Sequence, residues 1–400
     1  MPPAVKIIPL KKVYVDSCVR DWPSTLRILE RLDGVPVEEV SGWTDLEQRS
    51  SGIALEDAKK ILWLTRHEGR RFKPCPATQR SYLCCGYWIL QTQAHCPMDC
   101  SYCVLQGYLN RPFLTVYMNS GELYRELEDQ LAVYPRKLFR AGTGELTDSL
   151  ALDALTGWNF DLMSRCDRKN LIYEMKTKTA FVDHLPPAPH PRLVVSWSLN
   201  PDAMIQEFEH GAPPLARRLE GAKQAVLKGY RTGFHFDPLI SIPGWEDAYG
   251  DLIDRMADAV PEEAVVWISL GTVRFSQDVR RAILDRFPAT RLTDPEMIRG
   301  QDGKWRYLRP VREKLYAFVY RKIRQKWKNV FVYFCMENQD VWENVMGIRP
   351  DSNAHLDYLF HENLARRFPA LELPEPDRAL YDEAHQKIEE SELDEARRLR

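Results

Sequence analysis

From residue 86 onward the chain alternates two textures, and this alternation limits its fold more than any other feature. Short apolar runs recur as YWILQ (87–91), RKLFRAG (136–142), NLIYEMKTK (170–178), RLVVSWSL (192–199), RTGFHFDPLI (231–240) and AVVWISLG (264–271). Between them lie stretches with helical period, such as GELYRELEDQLAVY, LALDALTGWNFDLMSRC and APPLARRLEGAKQAVLKG. Strands that alternate with helices build βαβ units, and such units build a parallel sheet. Six of them exceed a short open sheet and predict an α/β barrel or partial barrel. In such barrels chemistry sits at the C-terminal ends of the strands. The residues that close each run are therefore the ones to read for function.

The same alternation divides the chain into three. Residues 1–85, with helical patterning around STLRILERL and LEDAKKILWLTR, are expected to form a mostly helical N-terminal region. Residues 86–275 hold the barrel. Residues 276–400 are expected to form a C-terminal α+β extension with a basic aromatic segment, a further strand at NVFVYFCMEN (329–338) and a charged tail. Lys and Arg number 55 against 57 Asp and Glu, so overall charge names no partner, and any nucleic-acid surface must be a local patch. No apolar run reaches the roughly 18 residues of a membrane span. The N-terminus shows neither a long apolar core nor a small-residue cleavage site. A cytoplasmic location is expected, where thiols stay reduced.

Three of the chain's nine cysteines fall within HCPMDCSYC, residues 95–103, as C-x3-C-x2-C. Thiolates are the usual ligands of iron–sulfur clusters. Three of them on a short loop hold three irons of a [4Fe–4S] cubane and leave the fourth iron open for a ligand. Tetrahedral zinc wants a fourth protein ligand; His95 is adjacent, but paired C-x2-C spacing is the usual zinc pattern. Cys96, Cys100 and Cys103 are thus expected as cluster ligands. Cys75, Cys84 and Cys85, like Cys18, Cys166 and Cys335, read as structural thiols, with a second cluster around the first three as the alternative.

C-x3-C-x2-C after the first strand of a βα series, with an aromatic before the last cysteine, resembles the radical S-adenosylmethionine (SAM) superfamily. The resemblance implies that the open iron binds the amino and carboxylate groups of SAM. One electron then cleaves the sulfonium, and the resulting 5′-deoxyadenosyl radical abstracts hydrogen from a substrate. It also implies that Tyr102 packs near the adenine. In AGTGELTDSL (141–150), Gly142, Thr143, Gly144 and Glu145 resemble the superfamily's glycine–glycine–glutamate element, which holds the SAM amino group. Period two places Glu174, Lys176 and Lys178 on one face of the third strand. Lys176 is expected to meet the SAM carboxylate or ribose. Ser196, Ser198 and Asn200 on the fourth run offer hydroxyl and amide donors. His235 and Asp237 alternate with Phe234 and Phe236 on the fifth, where a satisfied core histidine is the plainer reading.

The wider run CPATQRSYLCCGYWILQTQAHCPMDCSYCVLQGYLNRP resembles the spore photoproduct lyase family of DNA repair enzymes, as do GTGELTDSL, SWSLNPDAMIQEFEHGAP, GYRTGFHFDPLI and VYFCMENQDVWENVMGIRP. Together these cover roughly residues 70–350. The family's fold is a partial (β/α)6 barrel, and its reaction reverses a thymine photoproduct in DNA. A reducing partner such as flavodoxin or ferredoxin is implied. Two departures stand out. The family's repair enzymes carry a hydrogen-returning cysteine in the second-strand motif, where this chain has Gly142. They also carry a tyrosine after the third cluster cysteine, where this chain has Val104. A cysteine restored at 142 is therefore expected to restore hydrogen return, if the substrate is the thymine photoproduct.

Ten cations between Lys304 and Lys328 are interleaved with Trp305, Tyr307, Tyr316, Tyr320 and Trp327. Cations for phosphates and rings for stacking suit unstacked nucleic acid; a helix with a solvated charged face is the alternative. Three functions are thus open. They are a radical SAM lyase acting on a damaged pyrimidine in DNA, a radical SAM enzyme with a small-molecule or protein substrate, and a metal-bearing nucleic-acid-binding protein without SAM chemistry.

Overall fold

The computed structural model describes residues 9–75 and 82–398. All six runs form strands, and they lie side by side in chain order within one sheet. They are β1 (Trp88–Leu90), β2 (Phe139–Gly142), β3 (Leu171–Thr177), β4 (Leu193–Ser198), β5 (Arg231–Leu239) and β6 (Val265–Thr272). Each neighbouring pair is parallel. A seventh strand, β7 (Phe331–Phe334), extends the parallel run beyond β6. Phe72–Pro74 adds an antiparallel edge to β1. The strand order has two free ends, so the barrel is partial.

The strands are rich in β-branched and aromatic residues, and β6 (VVWISLGT) is buried along its whole length, as a parallel strand covered on both faces requires. Helices supply the cover. Trp245–Ala259 follows β5 and buries Trp245, Tyr249, Leu252, Ile253 and Met256, one stripe at helical spacing. Among the described residues, no helix is long and apolar enough to cross a membrane.

The N-terminal region holds more strand than its sequence suggests. Helices Pro23–Glu30, Trp43–Arg49 and Leu55–Ala58 are present, but they alternate with parallel strands Val37–Val40, Lys12–Asp16 and Ile61–Thr65. This second sheet continues through Leu114–Tyr117 to Gln93–Ala94. The segment ILWLT is a fully buried strand, and periodicity alone does not separate a short buried strand from a buried helical turn. Its partner strand lies beyond the cysteine loop, which local pattern does not show. Sheets also cross both expected boundaries. Phe72–Pro74 joins the barrel from before residue 86, and β7 joins it from after residue 275. One hydrophobic cluster runs from Val13 to Leu371.

A buried ionic group ties the C-terminal helices to the start of β2. Asp357, in the helix Asn353–Arg367, accepts from Lys137 Nζ at 2.6 Å and from His385 at 3.2 Å, and stands 3.7 Å from Arg140. Its carboxyl also fills the space beside Gly86, which has a φ of +66° and where a Cβ would fall 2.9 Å from it. Burial works against the charge but is outweighed by Lys137, His385 and Arg140, which hold this carboxyl down at about 2. The unfolded chain binds its proton near the ordinary 3.8. The contribution, about 2 kcal/mol, is present above pH 4 and lost as pH falls toward 2. Denaturant melts across this range will show that loss. In Asp357→Asn the acid-side loss will be smaller, and stability at pH 7 will fall by about 3–5 kcal/mol, because two buried cations lose their counter-charge.

Candidate active site

The cysteine loop leaves Gln93–Ala94 and crosses the mouth of the barrel. Asp99–Cys100 pairs antiparallel with Glu209–His210, with Glu209 opposite Cys100, and Ser101 N donates to Phe208 O at 2.8 Å. A charged bracket holds the loop from outside. Lys59 Nζ donates to Met98 O and to Asp99, both at 2.8 Å, and Arg286 donates to the other Asp99 oxygen at 2.7 Å and to Gln106 at 2.9 Å. Thus Lys59, at the end of the helix Leu55–Ala58, and the helix Gln277–Arg286 both grip this loop.

Cys96, Cys100 and Cys103 share one apolar cluster with Met98, Tyr102, Ala151 and Ala212. Among the described residues, no three His, Cys, Asp or Glu side chains converge on a single ion. The soft thiol donors in apolar surroundings fit a cubane with one open iron. The C-x3-C-x2-C spacing differs from the paired C-x2-C pattern usual for zinc. Burial raises Cys96 and Cys100, the latter to about 12, so these thiols ionise at neutral pH only against a bound cation.

The loop after β2 lies between the cysteine loop and β3. Thr147 Oγ1 donates to His95 O at 2.6 Å, beside the first cysteine. Asp148 accepts from Leu150 N and Ala151 N at 3.0 Å, from Thr177 Oγ1 at 2.7 Å and from Lys178 N at 2.7 Å. Thr143 donates to Ser149 Oγ at 2.8 Å, which in turn accepts from Lys176 N at 3.0 Å. Glu145 and Lys176 form an ion pair at the mouth. Burial opposes the lysine's charge, but Glu145 and Glu174 outweigh it and raise its pKa. The structure thus brings Thr143, Glu145 and Lys176 together beside the cysteine loop.

Both glycines are explained by contact with the protein. A Cβ at Gly144 would fall 2.6 Å from Lys176 Cβ. At Gly142 it would fall 2.0 Å from Glu174 O and 2.2 Å from the Tyr87 hydroxyl. The expectation that a cysteine at 142 restores hydrogen return therefore fails on space: no side chain fits there.

Tyr102 and Asn200 meet in a second group. The Tyr102 hydroxyl donates to Glu209, Asn200 Nδ2 donates to Glu209 at 2.9 Å, and Arg218 pairs with the same carboxylate. Tyr249 donates to Asn200 Oδ1 at 3.1 Å. Ser198 contributes its carbonyl, which accepts from Arg218 at 2.9 Å. Ser196 is fully buried and donates to Glu174, deeper in the barrel. The same Glu174 oxygen accepts from His235 at 2.9 Å and Trp267 at 3.2 Å. His235 is thus a satisfied core histidine. Burial disfavours the Glu174 anion, but His235, Lys176 and Ser196 hold its pKa at about 2. Asp237 pairs with Arg274 at 3.2 Å, and Arg274 also donates to Cys335 Sγ at 3.1 Å.

Most of the basic segment is committed within the protein. Arg306 pairs with Asp302, Arg312 with Glu337, Arg309 with Glu313 and Asp340, Lys314 with Glu246, and Lys326 with Asp254. Tyr307, Tyr316 and Trp327 are buried. Residues 309–326 form a helix packed on Trp245–Ala259, with Phe318 against Trp245. Trp305 is the exception. It lies on a small antiparallel sheet with the guanidinium groups of Arg280 and Arg299 5.2 and 5.7 Å from its ring, and its indole N–H donates to Gln277 at 2.8 Å. Sequence reasoning did not single out Asp148, Glu209 or Tyr87. Asp148 had a detectable signal, since an Asp that caps the following turn is common after a strand.

A family model described as spore photoproduct lyase matches residues 82–336. The spore photoproduct lyase of Bacillus subtilis (strain 168) is 28% identical over 216 residues, which are 52% of this chain and 63% of that protein. This alignment spans less than two thirds of the relative's length. The enzyme of the same name from Geobacillus sp. (strain Y412MC61) is 26% identical over 243 residues, 56% of this chain and 71% of the relative. A solved structure of spore photoproduct lyase complexed with dinucleoside spore photoproduct superposes with a TM-score of 0.72 at 23% identity, covering 82% of this chain and 99% of that one. A mutant form with bound AdoMet and dinucleoside spore photoproduct gives 0.72 at 23% identity, over 82% of this chain and all of that one. At these identities the superpositions establish a shared fold, the partial barrel.

Gly142→Cys is expected to lower stability by about 1–3 kcal/mol or more, because the added Cβ meets main chain that cannot swing aside. A thermal or urea melt will measure it, and the variant will show no gain in turnover.

Proposed function

Because the chain belongs to the spore photoproduct lyase family, we propose that it is a radical SAM enzyme that reverses a thymine photoproduct in DNA. The observation that carries this reading is three thiols in one apolar cluster, bonded through His95 and Thr147 to the loop that presents Glu145. When bound, a [4Fe–4S] cluster with one open iron supplies the electron that cleaves SAM to methionine and a 5′-deoxyadenosyl radical. The chain's own groups do the rest.

Cys96, Cys100 and Cys103 hold the cluster. The Glu145 carboxylate takes the SAM ammonium, and Lys176 takes its carboxylate or a ribose oxygen. Either contact replaces part of the Glu145–Lys176 pair, so the mouth stays electrically balanced when SAM enters. Tyr102, fixed by Glu209, lies beside Cys103 and offers a ring to the adenine. Thr143, Gly142 and Gly144 shape the second-strand end of the pocket, and Ser198 and Asn200 the fourth. Ser196 acts indirectly, by holding Glu174. A one-electron protein donor such as flavodoxin or ferredoxin supplies the reducing equivalent.

The group of Arg280, Trp305 and Arg299 is the chain's nucleic-acid contact. The small sheet that carries it continues directly from β6 through Arg274–Phe275. An indole with two guanidinium groups beside it joins an aromatic surface for bases to cations for phosphate. A base must leave the duplex before chemistry reaches it.

Anaerobically reconstituted protein is expected to be brown, with a charge-transfer band near 400 nm. Cys100→Ala should lose the band, and an unchanged band would refute the ligand set. Reduced protein with SAM should release 5′-deoxyadenosine, and recovery of intact SAM only would refute the function. Arg299→Ala combined with Trp305→Ala should weaken binding of photoproduct-containing DNA about tenfold or more and lessen its salt dependence. SAM cleavage should be unaffected, as a filter-binding titration beside the cleavage assay will show.

A further inference from the structure

We propose that the phenol of Tyr87 is the hydrogen-atom donor to the substrate radical, in the place where a thiol is absent at residue 142. The inference rests on the function proposed above and adds a residue to it.

Three observations carry it. The Tyr87 hydroxyl occupies the space a side chain at 142 would need, 2.2 Å from the position of its Cβ. That hydroxyl is buried and has the Glu174 carboxylate as a neighbour but no well-formed hydrogen bond, although buried hydroxyls nearly always make one. Leaving it unpaired costs about 1–3 kcal/mol, and such a cost persists where a group has another task. Third, the ring stands beside the ion pair that the proposed function assigns to SAM, with Lys176 Nζ 5.8 Å from its centroid.

The chemistry suits the group. A phenolic O–H is a weak bond because the phenoxyl radical delocalises over the ring. Burial and the neighbouring Glu174 and Glu145 carboxylates push the phenol well above its ordinary pKa, so it keeps its hydrogen. In the step, the O–H bond of Tyr87 breaks homolytically and a C–H bond forms on the substrate carbon radical. The unpaired electron moves to the phenoxyl oxygen. One electron from a low-potential donor and one proton from solvent restore the phenol, so each turnover consumes one SAM. The other S–H groups near Glu145 are worse placed. Cys85 bonds with Cys84, and Cys335 accepts from Arg274.

Tyr87→Phe removes the oxygen alone. Without cluster or SAM, the variant should melt at the wild-type midpoint or above it. A lower midpoint would show that the hydroxyl is bonded in the folded protein and would overturn the proposal. With cluster, SAM, reductant and a dinucleotide spore photoproduct in D2O, the wild type should place one solvent deuterium in the product. Tyr87→Phe should still cleave SAM but give about tenfold less product per 5′-deoxyadenosine, without deuterium. Cys85→Ala and Cys335→Ala should transfer deuterium as the wild type does. Frozen wild-type turnover mixtures should show a tyrosyl signal that changes with ring-deuterated tyrosine and is absent from Tyr87→Phe. Full deuterium transfer by Tyr87→Phe, or its loss in either cysteine variant alone, would overturn the assignment of Tyr87. Failure of the wild type to release 5′-deoxyadenosine would instead refute the reading of the whole site.

Discussion

One carboxylate organises the interior of this barrel. Glu174 stands on β3, and a single oxygen of it accepts from Ser196 on β4, His235 on β5 and Trp267 on β6. Four consecutive strands are thereby joined through one buried anion. A charge in that position is tolerable only when its partners are complete; here they outweigh burial and keep the group ionised to about pH 2. The main chain of the same residue sets the next layer. Glu174 is in register with Gly142, and its carbonyl approaches so closely that position 142 admits no Cβ. The polar barrel interior and the bare backbone of the second-strand loop are two effects of one residue.

Much of this was legible in the sequence. The six barrel strands are legible because each is almost wholly buried and so mostly apolar, with polar residues such as Glu174, His235 and Asp237 among them. The cysteine loop was legible because its chemistry lies in local spacing. The N-terminal sheet was not. VEEV is a polar edge strand, ILWLT passes for part of a helix, and the strand that completes the sheet, Leu114–Tyr117, lies beyond the cysteine loop. The basic aromatic segment misled for a related reason. Lys314 is neutralised by Glu246, Lys326 by Asp254 and Arg312 by Glu337. None of these acids is near its partner in sequence, so a composition count sees ten cations where the fold leaves few. Trp305 differs in being only partly buried, with two arginines, Arg280 and Arg299, near its ring.

The cysteine loop itself has little regular structure, and its rigidity comes from what grips it. Lys59 arrives from the end of the N-terminal helix Leu55–Ala58, Arg286 from the helix after β6, and Glu209 from the segment after β4. Asp99 receives the first two. Three parts of the chain that are far apart in sequence thus converge on an eight-residue loop. This makes the N-terminal region more than an appendage, since Lys59 bonds both Met98 O and the Asp99 carboxylate. It also explains why neither expected domain boundary follows a structural seam.

The glycine at 142 and the tyrosine at 87 are one feature seen from two sides. A side chain at 142 cannot enter while the Tyr87 oxygen stands 2.2 Å from its Cβ position, and the β3 main chain blocks the alternative at 2.0 Å. To exchange a phenol for a thiol here, the tyrosine would have to shrink and the second and third strands would have to part. A single substitution at 142 supplies only the thiol and none of the room. The absence of a thiol in the second-strand motif is therefore not a simple loss. The fold has closed over that position, with the Tyr87 hydroxyl and the Glu174 carbonyl in the space a side chain would need.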